Sequence, residues 1–207
     1  MEFAEVIETE SHLRRIIGPP LERSLKKEIA RLDGHCRALI ANSPFVLIAS
    51  GDASGRMDVS PKGDVPGFVL VLDERTLAIP DRPGNRRADT FRNVLQSPGI
   101  GLLFLIPGKL ETLRVNGRAR VVHDLGLRER MTVKGKVPEL ALVVSVEQAF
   151  IHCGKCMLRS GLWRKDEWPD IDGLPTQAQC LVEHAKLDEP LEEVQASIEK
   201  SRKTQLY

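Results

Sequence analysis

Apolar residues recur every three or four positions between Pro19-Pro20 and Pro44, a spacing that places them on one face of a helix. The residues that share this spacing are Leu21, Leu25, Ile29, Leu32, Cys36, Leu39 and Ile40. Proline is tolerated in the first turn of a helix, and Pro44 would not continue one. The pattern therefore predicts one amphipathic helix over residues 19–42, with its apolar face packed on a core.

After Pro44 the apolar residues form short runs of strand length, separated by turn residues such as Pro107-Gly108. The runs cover residues 45–49, 68–72, 76–79, 100–106 and 140–146. Residues 112–122 alternate strictly, which predicts a strand with one buried and one polar face. The predicted buried face carries Leu113, Val115, Gly117, Ala119 and Val121, and Thr112 begins the polar face.

Helices do not alternate regularly with these runs; the one clear helical pattern among them covers residues 87–96. Such an order favours an antiparallel sheet or barrel with peripheral helices over a doubly wound parallel sheet. We therefore predict a mainly β (α+β) fold in three parts. An N-terminal helical segment (1–42) packs on a barrel domain (43–164), and a helical C-terminal appendage (165–207) follows.

Composition and charge exclude several classes of protein. With 42% hydrophobic and 29% charged residues, the chain is neither disordered nor fibrous. A net charge of +1 disfavours a dedicated nucleic-acid-binding domain. No apolar run approaches the roughly 18 residues of a membrane span, so we expect no membrane partner and a cytoplasmic protein. The near-neutral total conceals a basic barrel, because residues 43–164 carry 18 basic and 12 acidic side chains.

Residues 79–90 are the strongest candidate for a ligand-binding site. A predicted strand ends there, and a helix begins among three arginines, Arg82, Arg86 and Arg87. Backbone N–H groups at a helix start and guanidinium groups both bind phosphate oxygens. Lys62, at a second predicted strand end, can join them. Arginines at a helix start oppose the helix dipole, so the pattern favours a phosphate site.

A plainer interpretation remains open for this stretch. Asp81 and Asp89 can pair with the arginines, and Pro83-Gly84 can simply shape a solvated turn. ATP and NAD sites of the usual kinds are not expected, because the chain has no Walker loop and no dinucleotide-binding glycine fingerprint. No serine or histidine has the partners of a catalytic triad, so we assign no catalytic residue.

Cys153 and Cys156 have the C-x-x-C spacing that binds zinc or acts in thiol exchange. The chain has no second pair of this kind. We therefore expect two ordinary thiols and no metal site, with structural zinc and a redox pair as alternatives.

Several motifs occur in a characteristic order. They are Ser43-Pro44-Phe45, Gly55-Arg56-Met57-Asp58-Val59-Ser60-Pro61-Lys62-Gly63-Asp64, Leu77-Ala78-Ile79-Pro80-Asp81-Arg82-Pro83-Gly84-Asn85-Arg86 and Glu111-Thr112-Leu113-Arg114-Val115-Asn116-Gly117. Over residues 12–168 the chain resembles the pyridoxamine 5′-phosphate oxidase-related flavoproteins, and within them a bacterial branch of FMN-binding proteins. The resemblance implies a split β-barrel and a homodimer with FMN at the subunit interface.

The resemblance also implies roles for individual residues. Phosphate binding would fall on Lys62, Arg82, Asn85, Arg86 and Arg87. Strand-end backbone beside the flavin ring would come from Asp58, Val59, Ser60, Ile79, Pro80 and Asp81. Thr112 would reach the cofactor of the partner subunit, where the true oxidase has glutamine. Residues 152–163 also resemble the ending of this bacterial branch. There Lys155 and Arg159, four residues apart, can face the substrate if their segment is helical, and Trp163 can cover the flavin. Equally, the two cations can be solvated and Trp163 can belong to the core.

The true oxidases end in an Arg/His-rich segment that binds the substrate phosphate, and residues 165–207 do not reproduce it. Vitamin B6 oxidation is therefore not expected. We predict an FMN-dependent oxidoreductase that acts with a small-molecule electron donor or acceptor. The alternatives are a flavin carrier or sensor without turnover, and a split-barrel protein that uses a deazaflavin or haem.

Overall fold

The computed structural model describes residues 3–207, which form seven strands and eight α-helices. The strands are β1 (Phe45–Gly51), β2 (Met57–Gly63), β3 (Leu70–Val71), β4 (Thr76–Pro80), β5 (Gly99–Leu105), β6 (Thr112–Val122) and β7 (Ala141–His152). The helices are α1 (Glu10–Ile17), α2 (Glu22–Lys26), α3 (Gly34–Asn42), α4 (Asp89–Gln96), α5 (Leu125–Glu129), α6 (Lys155–Ser160), α7 (Gln177–Ala185) and α8 (Leu191–Thr204). A 3₁₀ turn covers Lys165–Glu167.

All seven strands belong to one antiparallel sheet with the order β2-β1-β5-β6-β7-β4-β3. β2 and β4 lie near opposite ends of this order, yet Asp64 directly after β2 touches Arg82 just after β4. The sheet therefore curls until its two sides approach each other without a ladder between them. This is the predicted α+β split β-barrel with peripheral helices.

The core lies inside the curled sheet, where alternate strand residues point inward. Its most deeply buried large side chains include Val46, Ile48, Leu77, Leu102, Phe104, Leu113 and Val115, and α3 and α4 add Cys36, Ile40 and Val94. The predicted alternation of residues 112–122 is confirmed, since Leu113, Val115, Gly117 and Ala119 are buried. Thr112, assigned to the polar face, is instead buried at the start of β6.

A β-bulge interrupts the long β6–β7 pairing. Asn116 lies opposite Gln148 and Gly117 lies opposite Val146, so Glu147 is the extra residue on β7. At Gly117 an added Cβ would lie 2.1 Å from the carbonyl oxygen of Ser145. Only glycine allows the two strands to approach this closely beside the bulge.

The prediction of one helix over residues 19–42 is wrong. Ile29 forms an isolated β-bridge with Ala149 on β7, and this pairing separates α2 from α3. The Asp33 side chain then accepts a hydrogen bond from the Cys36 N–H at 2.8 Å and begins α3. The apolar spacing holds only for the second half, because Leu32, Cys36 and Ile40 are buried whereas Leu21 and Leu25 are exposed.

The segment after residue 165 forms two helices, α7 and α8, which pack against each other. Val194 of α8 is buried, whereas Leu191 at the start of this helix is exposed. Within residues 3–207 no helix has both the length and the apolar character needed to cross a bilayer.

Candidate functional site

A cavity of about 870 Å³ opens where the curled sheet fails to close, between β2 and the β4–α4 connection. Its volume lies within the range of about 300–1,000 Å³ that small-molecule sites usually have. Three further segments complete its wall: the start of α4, residues 136–140 before β7, and residues 204–207 at the end of α8.

β2 contributes its polar face to the cavity. Asp58, Ser60 and Lys62 line the cavity, while the intervening residues Met57 and Val59 are 70% and 60% exposed on the other face. This arrangement reverses the ordinary one, in which apolar residues of a strand point inward. β2 is also the edge of the sheet, so backbone groups on its free side have no strand partner within the described residues.

The β4–α4 connection brings Arg82, Asn85, Arg86 and Arg87 to the cavity. Its backbone is left-handed at Arg86 (φ 59°) and at Ala88 (φ 56°), a conformation that costs free energy in residues other than glycine. Asn85 supports the turn by accepting a hydrogen bond from the Arg87 N–H at 3.0 Å. Strained backbone of this kind is found preferentially at ligand sites.

Arg82 is held in place by a buried contact. Its Nε donates to Asp64 Oδ2 at 2.6 Å, and the two side chains are only 14% and 1% exposed. The hydroxyl of Tyr207 donates to the other Asp64 oxygen at 2.6 Å, and the Tyr207 ring centroid lies 5.8 Å from Arg82 Cζ. This trio of Asp64, Arg82 and Tyr207 connects β2, β4 and the end of α8.

The pKa values of the trio reflect this geometry. Burial would raise the pKa of Asp64, but hydrogen bonds from Tyr207, Val65 and Arg82 outweigh it and lower that pKa below 3.8. The hydrogen bond to Asp64 raises the pKa of Tyr207 above its ordinary value of 10.0. Asp64 is therefore ionised and Tyr207 protonated at neutral pH.

The other cations of the cavity differ in whether a carboxylate already pairs with them. Arg87 Nε donates to Asp89 Oδ2 at 2.8 Å at the start of α4. Lys62 and Arg86, by contrast, have no carboxylate oxygen within 4 Å among residues 3–207. Lys136, which also lines the cavity, has no such carboxylate among the described residues either, so these three side chains are available to an anionic ligand.

Carboxylates also line the cavity, namely Asp58, Asp81, Asp89 and Glu139. Burial raises the pKa of Asp81, although the nearby charges of Lys62 and Arg82 act in the opposite direction. Asp58 accepts a hydrogen bond from Thr90 Oγ1 at 3.3 Å. The carboxylates therefore lie at the starts of β2 and α4, directly after β4 and before β7, and the cations without an ion-pair partner among residues 3–207, Lys62, Arg86 and Lys136, mark where an anion fits.

A flavin mononucleotide is compatible with these residues. Its phosphate matches the guanidinium and ammonium donors of Arg86 and Lys62, neither of which forms an ion pair within 4 Å among residues 3–207. Its ring system needs a cavity of ordinary small-molecule size and backbone donors, which the free edge of β2 can supply.

The structure brings together most of the site residues predicted from the sequence. Those that line the cavity are Asp58, Ser60, Lys62, Asp81, Arg82, Asn85, Arg86 and Arg87. Val59 lies on the outer face of β2, and Ile79 and Pro80 are buried in β4. Thr112, Lys155, Arg159 and Trp163 do not line the cavity of their own chain; the Trp163 Nε1–H donates to the Lys109 carbonyl at 2.8 Å.

Sequence reasoning missed two members of the trio. Asp64 stands inside a quoted motif, but nothing in the motif indicates that it pairs with Arg82. No sequence signal marks Tyr207, which is 143 residues away from its partner Asp64. Residues 136–140 were missed as well, because their only signal is a short turn before β7.

The four cysteines are free thiols in the structure, with Cys153 and Cys156 exposed. Within residues 3–207 no group of three or more His, Cys, Asp or Glu side chains is arranged to hold a metal ion.

A family model described as pyridoxamine 5′-phosphate oxidase matches residues 32–153, more than half of the chain, whereas the curated proteins give no match. Among solved structures, HupZ of Group A Streptococcus is similar at 20% identity and a TM-score of 0.48, over 57% of this chain and 92% of that one. An FMN-binding protein from Syntrophomonas wolfei is similar at 14% identity and a TM-score of 0.45, over 68% and 92%.

Proposed function

The chain belongs to the pyridoxamine 5′-phosphate oxidase family, and from this premise we propose that it is a flavoprotein that binds FMN in the cavity between β2 and the β4–α4 connection. One observation carries the proposal: Lys62 and Arg86 face a cavity of about 870 Å³ without carboxylate partners among the described residues. Two unpaired cations beside a left-handed turn form a site that phosphate stabilises.

Residues of β2 and of the β4–α4 connection contribute to the phosphate site in different ways. Arg86 and Lys62 supply charge-assisted hydrogen bonds, while Arg82 is positioned by Asp64 and offers only its remaining N–H groups. Asn85 holds the turn in shape through its hydrogen bond to the Arg87 N–H. Arg87, already paired with Asp89, contributes mainly to the electrostatic field.

Backbone donors to the flavin ring come from β2 in this proposal. The Asp81 N–H donates to the Leu140 carbonyl at 2.9 Å, so this end of β4 cannot donate to a ligand as well. The residues Asp58, Val59 and Ser60 lie on the edge strand, whose outer backbone groups are unpaired within the described chain. A bound flavin supplies hydride or electron exchange with a small-molecule donor or acceptor, and we propose oxidoreductase activity on that basis.

A second subunit completes the proposed site. Trp163, Lys155 and Arg159 lie outside the cavity of their own chain, and a homodimer would allow them to reach the partner's cofactor. Thr112 also lies outside it, but its side chain is buried at the start of β6. The exposed Met57 and Val59 on the outer face of β2 provide apolar surface for such contact. Sedimentation of the flavin-loaded protein tests this part, and a monomer with full flavin content would contradict it.

The cofactor is identified by purifying the protein, releasing any bound chromophore and recording its spectrum and chromatographic mobility. FMN is the expected result. A deazaflavin or a haem would contradict the assignment. Reduction of the bound flavin by NADH or NADPH, followed by reoxidation by an acceptor, supports the enzyme, and a flavin inert to every donor supports a carrier or sensor.

The phosphate site is tested with Arg86→Ala, with Arg92→Ala as the matched control. Arg92 is an exposed arginine of α4 that does not line the cavity. A hydrogen bond to a charged group contributes about 1.5–3 kcal/mol, so Arg86→Ala should weaken FMN binding roughly 10- to 100-fold. Riboflavin, which lacks the phosphate, should bind both variants equally. Equal loss of FMN and riboflavin would overturn the assignment of Arg86.

A further inference from the structure

Residues 204–207, here called the closing segment, form one wall of the cavity at the end where Arg82 lies. Thr204, Gln205 and Tyr207 line the cavity, and Leu206 points away with 62% of its surface exposed. The closing segment belongs to the part of the chain that has no counterpart in the matched family region, which ends at residue 153. Its function must therefore be argued from its own contacts.

Tyr207 anchors the closing segment at three points. Its hydroxyl donates to Asp64 at 2.6 Å, and its ring lies 5.8 Å from Arg82 Cζ and 4.9 Å from Lys134 Nζ. Cations at these distances from an aromatic ring are attracted to its face. Tyr207 thus spans the gap between the β4–α4 connection and the loop before β7.

The backbone before Tyr207 is also held. α8 is fixed by the buried Val194 and by a hydrogen bond from Arg202 to Gln177 of α7 at 3.1 Å. The Gln205 N–H continues the last turn of α8 by donating to the Ser201 carbonyl at 2.9 Å. The closing segment is therefore attached at both ends, at α8 and at Asp64.

We propose that the closing segment limits the length of the ligand and selects a flavin that ends at its phosphate. The inference rests on the proposed function, in which Lys62, Arg82 and Arg86 hold that phosphate. A dinucleotide such as FAD extends beyond the first phosphate by a second phosphate and an adenosine. Tyr207 fills the space between Arg82 and Lys134, beside the arginine proposed to contact the phosphate, and in this proposal that is the space the extension of a longer ligand would need. Tyr207 is then a specificity-determining residue that acts against the longer ligand.

The test compares the affinities of FMN and FAD in the full chain and in Tyr207→Ala, with Leu206→Ala as the control in the same segment. The unchanged chain should prefer FMN by about tenfold or more. Tyr207→Ala removes all three anchors, so the ratio of FAD to FMN affinity should rise about tenfold. Leu206→Ala should leave the ratio unchanged. Tyr207→Phe keeps the ring, and its ratio should fall between those of the other two variants.

Three results would overturn the inference. The first is a ratio that Tyr207→Ala does not change. The second is an equal gain for FMN and FAD, since the segment would then compete with any flavin instead of selecting by length. The third is a chain that binds neither flavin, which removes the proposed function together with the inference.

A second measurement examines the anchor without any flavin. Tyr207 is the single tyrosine of the chain, so the ultraviolet absorbance of its phenolate reports on this site alone. The pKa of Tyr207 should lie above 10.0, and Asp64→Asn should lower it towards that ordinary value. An ordinary pKa in the unchanged chain would show that the segment is not docked, and this would overturn the inference even if FMN binds.

Discussion

The two sides of the sheet are joined in different ways. β6 and β7 pair through backbone hydrogen bonds from Thr112 opposite His152 to Val122 opposite Ala141. β2 and β4 have no ladder between them in the described chain, and the buried ion pair of Asp64 and Arg82 connects them instead. Paired strands lie about 4.8 Å apart and leave no space for a ligand. The cavity exists because side chains replace backbone pairing on one side of the barrel.

Gly117→Ala should have the largest effect, on the backbone-paired side of the sheet. The new Cβ would lie 2.1 Å from the Ser145 carbonyl oxygen, and backbone on both strands would have to move. We expect a loss of unfolding free energy of about 3 kcal/mol or more, measured by chemical denaturation. Gly99→Ala on β5 is the control, because nothing lies within 4 Å of its added Cβ. Equal stability of the two variants would contradict this account of the bulge.

The side-chain bridge is broken by Arg82→Ala. This change leaves Asp64 buried without its cation, which should cost about 3 kcal/mol of unfolding free energy. Arg87→Ala, in the same loop, removes an exposed pair with Asp89 and should leave the denaturation midpoint nearly unchanged. If both variants lost the same stability, Arg82 would not be the structural arginine of the loop.

The smallest expected effect is on the pH dependence of the free energy of unfolding, to which Asp64 and Asp81 contribute in opposite directions. The pKa of Asp64 is lowered, so its stabilising contribution is present above 3.8 and is lost as the pH falls through its folded-state pKa. The pKa of Asp81 is raised by burial, so its charged form opposes folding as the pH rises above 3.8. Denaturation from pH 7 downwards, in steps of roughly one unit around these pKa values, measures both effects.

Asp64→Asn should lower stability at neutral pH and reduce the loss of stability on acidification. Asp81→Asn should raise stability at neutral pH and steepen that loss. The same sign in both variants would show that the two carboxyl groups do not differ in the way their surroundings indicate.

Much of the fold was predictable because burial imposes a period on the chain. The alternation of Leu113, Val115, Gly117 and Ala119 correctly predicted β6, and the short apolar runs marked most other strands. No apolar run in the sequence marks β2, because its polar residues face the cavity and its apolar residues face outward. The long N-terminal helix was wrong because the spacing around Ile29 does not reveal its bridge to Ala149 on β7.

The candidate site was predictable only in part, for a related reason. Arginines clustered around a strand-to-helix turn indicate an anion site from local chemistry alone, and Arg82, Arg86 and Arg87 do line the cavity. The local sequence does not show which of these arginines forms an ion pair within the protein. Arg82 pairs with Asp64, 18 residues away, rather than with the adjacent Asp81. This partner cannot be predicted from the residues that neighbour Arg82 in the sequence.

The period of the strands, the family resemblance and the group of cations near a turn can all be recognised in the amino-acid sequence, since each depends on residues that are close together in the chain. The three-dimensional fold is needed to see that Arg82 forms its ion pair with Asp64, that Lys62 and Arg86 have no such pair among residues 3–207, and that Tyr207 lines the cavity. These properties depend on the fold because the strength of a charge interaction is set by the distance between the charges and by their burial. Both quantities are set when the curled sheet brings together segments as far apart as residues 64 and 207.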